Sequence, residues 1–186
     1  MSSTKSAACL GFLTVIEHAE LGLLGGYLLL NAAGRPLEFH CTAPVKPNRA
    51  QEILYGATLK PYLYGEQIGQ TLLARSKLTP VAACTDSEPM LAARDFTHLP
   101  LVLVAPEGRE SIALTNSPDR ADATAIDSRG SFALARNSVS TARHYASDQQ
   151  AIREGWPAQA ETLDLLEPFV RIREALEEAQ KSARAA

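Results

Sequence analysis

Four residues in the first quarter of the chain have side chains suited to catalysis or metal binding. Glu38, His40 and Cys41 lie within four positions of one another, and His18 lies further upstream. A cysteine becomes a nucleophile when a nearby base stabilises its thiolate, and a metal ion needs three or four converging ligands. A regular strand sends the His40 and Cys41 side chains to opposite faces, so Cys41 would have to meet His18 or Cys84 across a sheet. These residues define one hypothesis, a small enzyme with a Cys/His site.

A second group of candidate ligands is acidic. Asp86, Glu88 and Asp95 follow a predicted strand at residues 81–85. Carboxylates at strand ends can bind a divalent ion, but they are equally ordinary in loops and at helix caps. The sequence contains no closely spaced pair of cysteines or histidines, no EF-hand loop, no P-loop and no nucleophile elbow. We therefore expect no structural metal and no cofactor.

Tyrosines are concentrated in the middle of the chain, at Tyr55, Tyr62 and Tyr64. Tyrosine suits surfaces that are half apolar and half hydrated, so these residues indicate a ligand groove or a protein interface. The other interpretation is that Tyr64 packs inside the protein and the other two lie along a helix edge. Gly65 and Gly69 would let another backbone come close to the same helix.

The C-terminal segment has the apolar spacing of an amphipathic helix. Phe169, Ile172 and Leu176 recur three and four positions apart within a helix predicted at residues 167–184. Two heptads are too few for an independent coiled coil. This face must therefore dock on the chain's own sheet or on a second subunit.

The N-terminal third has the pattern of three antiparallel strands, at residues 10–17, 23–30 and 35–42. Glycines at positions 25 and 26 mark a bulge or a close approach of another group. The third strand alternates, which predicts that Leu37, Phe39 and Cys41 are buried while Glu38 and His40 are more exposed.

Further elements complete a single α+β domain over residues 1–186. Helices are predicted after Asn48 and Pro61, strands at 81–85 and 99–105, a hairpin turning at Asn137 and Ser138, and a helix capped by Ser147. Residues 106–130 are polar and rich in turn formers, which predicts a mobile loop with a short strand at 111–114. We expect an antiparallel sheet with helices packed on a face. The element order is similar to that of PAS, profilin-like and roadblock domains.

The composition limits the classes of partner that the protein can bind and indicates its cellular compartment. The 18 basic and 21 acidic residues are spread along the chain and give a formal net charge of −3, without the basic face of a nucleic-acid binder. The apolar run at 7–16 is similar to a signal peptide, but no small-residue cleavage site follows it, and the run at 21–30 is too short to cross a bilayer as a helix. Three cysteines outside any paired motif indicate a reducing compartment. We expect a cytoplasmic protein that binds neither nucleic acid nor membrane.

Several stretches resemble a group of uncharacterised bacterial proteins of the planctomycete type. They are residues 34–45 (GRPLEFHCTAPV), 53–56 (ILYG), 61–69 (PYLYGEQIG) and 165–169 (LLEPF). The resemblance extends over most of the chain. It implies a bacterial cytoplasmic protein and supplies no catalytic residue.

Two functional hypotheses follow. The first is a non-enzymatic binding or adaptor domain that acts through a protein interface, or by self-association, on the middle helices or the terminal helix. The alternative is the small enzyme with a Cys/His site. An enzyme needs polar groups that converge with shifted pKa values, whereas an adaptor needs an exposed apolar surface.

Overall fold

The computed structural model describes residues 8–105 and 131–185, and within them seven strands form one open sheet. The strands are β1 Cys9–His18, β2 Gly22–Asn31, β3 Pro36–Cys41, β4 Ala83–Thr85, β5 Leu101–Val104, β6 Ser131–Leu134 and β7 Asn137–Thr141. The α-helices are α1 Arg49–Tyr55, α2 Leu59–Pro61, α3 Thr71–Arg75, α4 Asp148–Gly155 and α5 Glu167–Ala185. A π-helix at Tyr62–Gln70 joins α2 to α3, and 3-10 helices span Gly56–Thr58, Glu88–Phe96 and Ala158–Ala160.

The strand order is β3-β2-β1-β4-β5-β7-β6. Strand β1 pairs antiparallel with β2, and β2 with β3, while β5, β7 and β6 form a second antiparallel group. The short strand β4 joins the two groups by pairing parallel with β1 and with β5. The predicted α+β class is confirmed, with a mostly antiparallel sheet. Buried residues form two separate core clusters, one on each face of the sheet. Helices therefore cover both faces.

Helix α5 packs on one face of the sheet. Its residues Phe169, Ile172 and Leu176 are buried. The Phe169 ring packs edge-on against the ring of Phe12 in β1, with the two ring centroids 5.7 Å apart. A Cβ atom on Gly26 of β2 would lie 2.3 Å from Cγ2 of Ile172. The glycine therefore lets the helix come close, as its position in the strand predicts.

The π-helix Tyr62–Gln70 covers the opposite face. Tyr64, Ile68 and Leu72 are buried there, so the helical spacing of these three residues predicts the packed face correctly. A Cβ on Gly25 would lie 2.2 Å from Cγ2 of Ile68. In the same layer, a Cβ on Gly65 would lie 2.7 Å from Cβ of Ala92 and 2.8 Å from backbone atoms of the neighbouring 3-10 helix Glu88–Phe96. The glycines thus set the spacing of both layers.

Local signals at helix ends and turns are correct at some positions and wrong at others. Asn48 makes the capping box predicted for α1, and Gly56 ends that helix with a φ of 49°. Ser147 precedes α4 without a side-chain cap, so the second capping box is wrong. The last hairpin turns at Ala135, which has a φ of 52°, and not at Asn137. Asn137 is buried in β7, where its side-chain oxygen accepts a hydrogen bond from the amide of Leu165.

The polar segment at 106–130, with its predicted mobility and its strand at 111–114, lies outside the described residues. Among the helices that are described, none combines the length and the apolar character needed to cross a membrane.

Candidate functional site

Strand β3 carries its side chains the opposite way from the prediction. Leu37 and Phe39 are 46% and 40% exposed, and Cys41 is exposed as well. The side chains of Glu38 and His40 are only 15% and 23% exposed. The predicted burial of Leu37, Phe39 and Cys41 is therefore wrong.

The reason is the position of β3 at the end of the sheet. Its register places Phe39 and Cys41 beside Leu28 and Gly26, on the α5 face. Helix α5 lies over β1 and β2 and leaves the α5 face of β3 uncovered. The opposite face of β3 is covered by the residues that follow α3. Alternation reveals that two faces differ, but it does not reveal which face is covered.

Glu38 is the centre of a compact group of hydrogen bonds. Its Oε2 atom lies 2.9 Å from Nε2 of His40 and accepts hydrogen bonds from the Ser76 hydroxyl at 3.2 Å and the Lys77 amide at 3.1 Å. These contacts lower the pKa of Glu38, with the His40 bond as the largest cause. The group ties β3 to the segment after α3. Ser76 and His40 both point at the carboxylate, which is not the arrangement of a nucleophile with its base.

The other members of the suggested Cys/His site lie apart from this group. His18 uses Nδ1 to accept hydrogen bonds from the amides of Glu20 and Leu21, which close the turn between β1 and β2. Cys41 faces away from His40, on the opposite side of β3. Cys84 is fully buried, and this burial raises the pKa of its thiol to about 12. The side chains of Glu38 and His40 are therefore in contact with each other. Those of Cys41, Cys84 and His18 are not part of this contact.

The three carboxylates after β4 are also separated. Asp86 accepts a 2.6 Å hydrogen bond from the Thr14 hydroxyl and pairs with Arg173 of α5. Asp95 accepts a hydrogen bond from the Tyr145 hydroxyl at 2.8 Å. Over residues 8–105 and 131–185, no three His, Cys, Asp or Glu side chains are placed to hold a metal ion together.

The three tyrosines have two different environments. Tyr64 is buried, and its hydroxyl donates a 2.6 Å hydrogen bond to Oε1 of Glu17. The rings of Tyr55 and Tyr62 stack at the surface, 4.2 Å apart and 26° from parallel. The pKa of Tyr55 is raised, chiefly by its side-chain hydrogen bond to Tyr62. Tyr64 is therefore part of the core, and only the stacked pair is available to a partner.

The most exposed large apolar side chains of the described residues lie on α1. Ile53 is 65% exposed and Leu54 is 81% exposed, and none of the seven residues of the helix is buried. Tyr55 follows them directly and stacks on Tyr62. We call the surface formed by Ile53, Leu54, Tyr55 and Tyr62 the α1 surface.

Sequence reasoning selects only the two tyrosines of the α1 surface and omits Ile53 and Leu54. Their exposure could have been predicted from the sequence. A capped helix of seven residues whose large apolar residues are confined to its end has no apolar stripe that could pack on the core. Of the two docking sites predicted for Phe169, Ile172 and Leu176, the chain's own sheet and a second subunit, the structure shows the first, because all three side chains are buried on that sheet. They belong to the hydrophobic core between α5 and the sheet.

The sequence also does not predict the buried ion pair between Arg94 and Asp148. Arg94 donates two hydrogen bonds to the Asp148 carboxylate, at 2.7 and 3.1 Å, and its guanidinium lies 4.2 Å from the centre of the Tyr145 ring. The bond to Asp148 is the main reason that the pKa of Arg94 is raised. The pair joins the connection between β4 and β5 to the start of α4. A contact between residues 54 positions apart leaves no periodic signal in the sequence.

A comparison with models of known protein families finds no match, and a comparison with curated protein sequences finds none either.

Proposed function

We propose that the protein is a non-enzymatic binding or adaptor module that docks its α1 surface into an apolar groove of a partner protein. The observation that carries this proposal is the exposure of Ile53 and Leu54 on a helix that contributes nothing to the core. Exposed apolar groups of this size cost free energy in water, and burying them against a partner recovers about 1.5–3 kcal/mol for each side chain. Contiguous exposed apolar surface of this kind marks interaction sites.

Two features prepare α1 for such a contact. The capping box between Asn48 and Gln51 fixes the start of the helix, and the stacked rings of Tyr55 and Tyr62 fix its end. A recognition element that is already ordered loses less conformational entropy on binding. The exposed ion pair of Arg49 and Glu52, at 3.0 Å, supplies a polar rim beside the apolar residues.

The enzymatic alternative has less support, because the residues assigned to it are already engaged elsewhere or face apart. His18 closes a turn, and one carboxylate oxygen of Glu38 accepts hydrogen bonds from groups that position the chain. All three cysteines are free thiols. Free thiols suit a reducing compartment, so we propose that the binding takes place in the cytoplasm.

The test compares partner capture by matched variants. The wild-type chain, the double variant Ile53→Ser/Leu54→Ser and the control Val170→Ser are each used as bait in extracts of the native host. We expect a partner that is retained by the wild type and by Val170→Ser but lost by the double variant. With the purified partner, the double variant should bind at least about tenfold more weakly, as truncation of central apolar contacts does.

Two results would overturn the proposal. One is a set of captured proteins that is identical for the wild type and the double variant. The other is a wild-type bait that captures nothing beyond what an unrelated bait captures. Val170 suits the control because it is an aliphatic residue, 50% exposed, on a different helix.

A further inference from the structure

Strand β3 ends the sheet, and within the described residues nothing pairs with its outer edge. The edge is six residues long, and from Glu38 to Cys41 it pairs with β2 in regular antiparallel register. Proteins usually protect such edges with lysine, with proline or with a bulge. Here Pro36 and a bulge occur only at the start of the strand, so neither device protects the segment around Phe39.

The backbone groups that face outward can be identified from the pairing pattern. The Thr42 amide donates to the Gly25 carbonyl at 3.0 Å, and the Gly25 amide donates to the Thr42 hydroxyl at 3.0 Å, so Thr42 directs its N–H toward β2. Hydrogen-bonded and non-hydrogen-bonded pairs alternate along an antiparallel ladder. It follows that Phe39 and Cys41 direct their N–H and C=O groups away from β2. Arg75 donates a hydrogen bond to the outward Cys41 carbonyl at 3.4 Å, so the open part of the edge is centred on Phe39.

The side chains along this edge are self-complementary. Read in either direction from Phe39, the strand places an aromatic residue at the centre, one charged or titratable residue beside it on each side, and then an apolar residue. The neighbours are Glu38 on one side and His40 on the other, followed by Leu37 and Cys41. When such a strand pairs antiparallel with a copy of itself about Phe39, each Glu38 lies opposite a His40, and each Leu37 lies opposite a Cys41.

We infer that the protein forms a symmetric homodimer in which two β3 strands pair antiparallel about Phe39, so that the two sheets become one. The outward N–H and C=O groups of Phe39 then bond to those of Phe39 in the second copy. The two exposed Phe39 rings and the neighbouring Leu37 and Cys41 side chains cover one another on the α5 face. In this register each Glu38 carboxylate lies opposite a His40 ring, and no two carboxylates face each other, which favours the pairing.

The complementarity specifies a second copy as the occupant rather than an unrelated strand. An unrelated extended peptide could bond to the same backbone groups. Only a peptide with the right sequence would also place an acid opposite His40 and a base opposite Glu38, and a second copy of β3 does so. The contact also differs from the α1 surface, which lies on the middle helices. The dimer is therefore independent of the proposed function.

The first test is the particle mass of the full-length chain, measured by size-exclusion chromatography with light scattering. We expect the wild type at twice the chain mass of 20.0 kDa. Phe39→Lys should give the monomer, because an edge lysine opposes pairing. The matched control Leu54→Lys, on the α1 surface, should stay dimeric. A monomeric wild type, or a Phe39→Lys protein that stays dimeric, would overturn the inference.

The second test fixes the register and does not depend on losing a dimer. In the double variant Phe39→Cys/Cys41→Ser, the two new thiols lie opposite each other, at a Cα separation that a disulfide can span. Mild oxidation should link this variant into a covalent dimer. In the wild type the two Cys41 residues would lie four positions out of register, about 14 Å apart, and should not be linked. Efficient linking of the wild type through Cys41, or none of the variant, would contradict the proposed pairing.

Discussion

Helices α5 and α1 both carry large apolar side chains, yet the environments of these side chains are opposite. Phe169 and Ile172 of α5 are almost completely buried, whereas Ile53 and Leu54 of α1 are mostly exposed. Packing against the rest of a protein supplies most of the stability of a helix. Helix α5 receives this stability from the sheet, and α1 depends on local contacts at its two ends. The apolar residues of α5 thus stabilise the fold, whereas those of α1 remain exposed to solvent.

The largest effect that this comparison predicts is at Phe169. Phe169→Ala removes a buried ring that meets Phe12 edge-on, so the free energy of unfolding should fall by about 3–5 kcal/mol. Val170→Ala, one position along the same helix, changes a half-exposed residue and should cost less than about 0.5 kcal/mol. Urea unfolding of the two variants gives both numbers. Equal, small effects would mean that α5 is not docked on its sheet.

A smaller effect is expected where the sheet and α5 come closest. Gly26→Ala places a methyl group 2.3 Å from Cγ2 of Ile172, and such overpacking costs about 1–3 kcal/mol. Ile172→Ala on its own leaves a cavity. Because each change relieves the other, the double variant should lose less stability than the sum of the single variants. Additive losses in urea unfolding would show that the two residues do not touch.

The same two helices show how far the sequence alone predicts the fold and the site. The spacing of Phe169, Ile172 and Leu176 predicts a buried face because a period of 3.6 has a direct physical meaning. The three N-terminal strands and the α+β class follow from similar patterns. The face of β3 could not be predicted, because alternation does not say which side another element covers. The pairing of Arg94 with Asp148 could not be predicted either, since it depends on how distant segments meet.

A local effect is expected at the start of α1. Asn48→Ala removes one side-chain oxygen of the capping box and should destabilise the helix by about 0.5–2 kcal/mol. Because α1 buries no residue, the loss should appear as faster hydrogen exchange of the α1 amides, with the global unfolding midpoint almost unchanged. Ser147→Ala is the matched control, since Ser147 precedes α4 without capping it. A large fall in global stability for Asn48→Ala would mean that α1 supports the core.

The smallest effect concerns the contact that anchors the middle helices to β1. The Tyr64 hydroxyl, together with Lys60, lowers the pKa of Glu17 below its ordinary value of 4.5, with the tyrosine bond as the largest single cause. A carboxylate with a lowered pKa in the folded state stabilises the protein above its ordinary value, and this contribution disappears as the pH falls through the lowered value. Glu17 is 60% exposed, so Tyr64→Phe should cost under about 1 kcal/mol at neutral pH.

The pH dependence distinguishes this loss from a packing defect. The difference in unfolding free energy between the wild type and Tyr64→Phe should shrink as the pH falls below 4.5, because protonation of Glu17 removes the charge that strengthens the hydrogen bond. In a Glu17→Gln background the same substitution should have an effect that does not change over this range. Urea unfolding at several pH values compares the four proteins. If the difference stayed constant with pH in the native background, the Tyr64 hydroxyl would stabilise the fold through a contact other than Glu17.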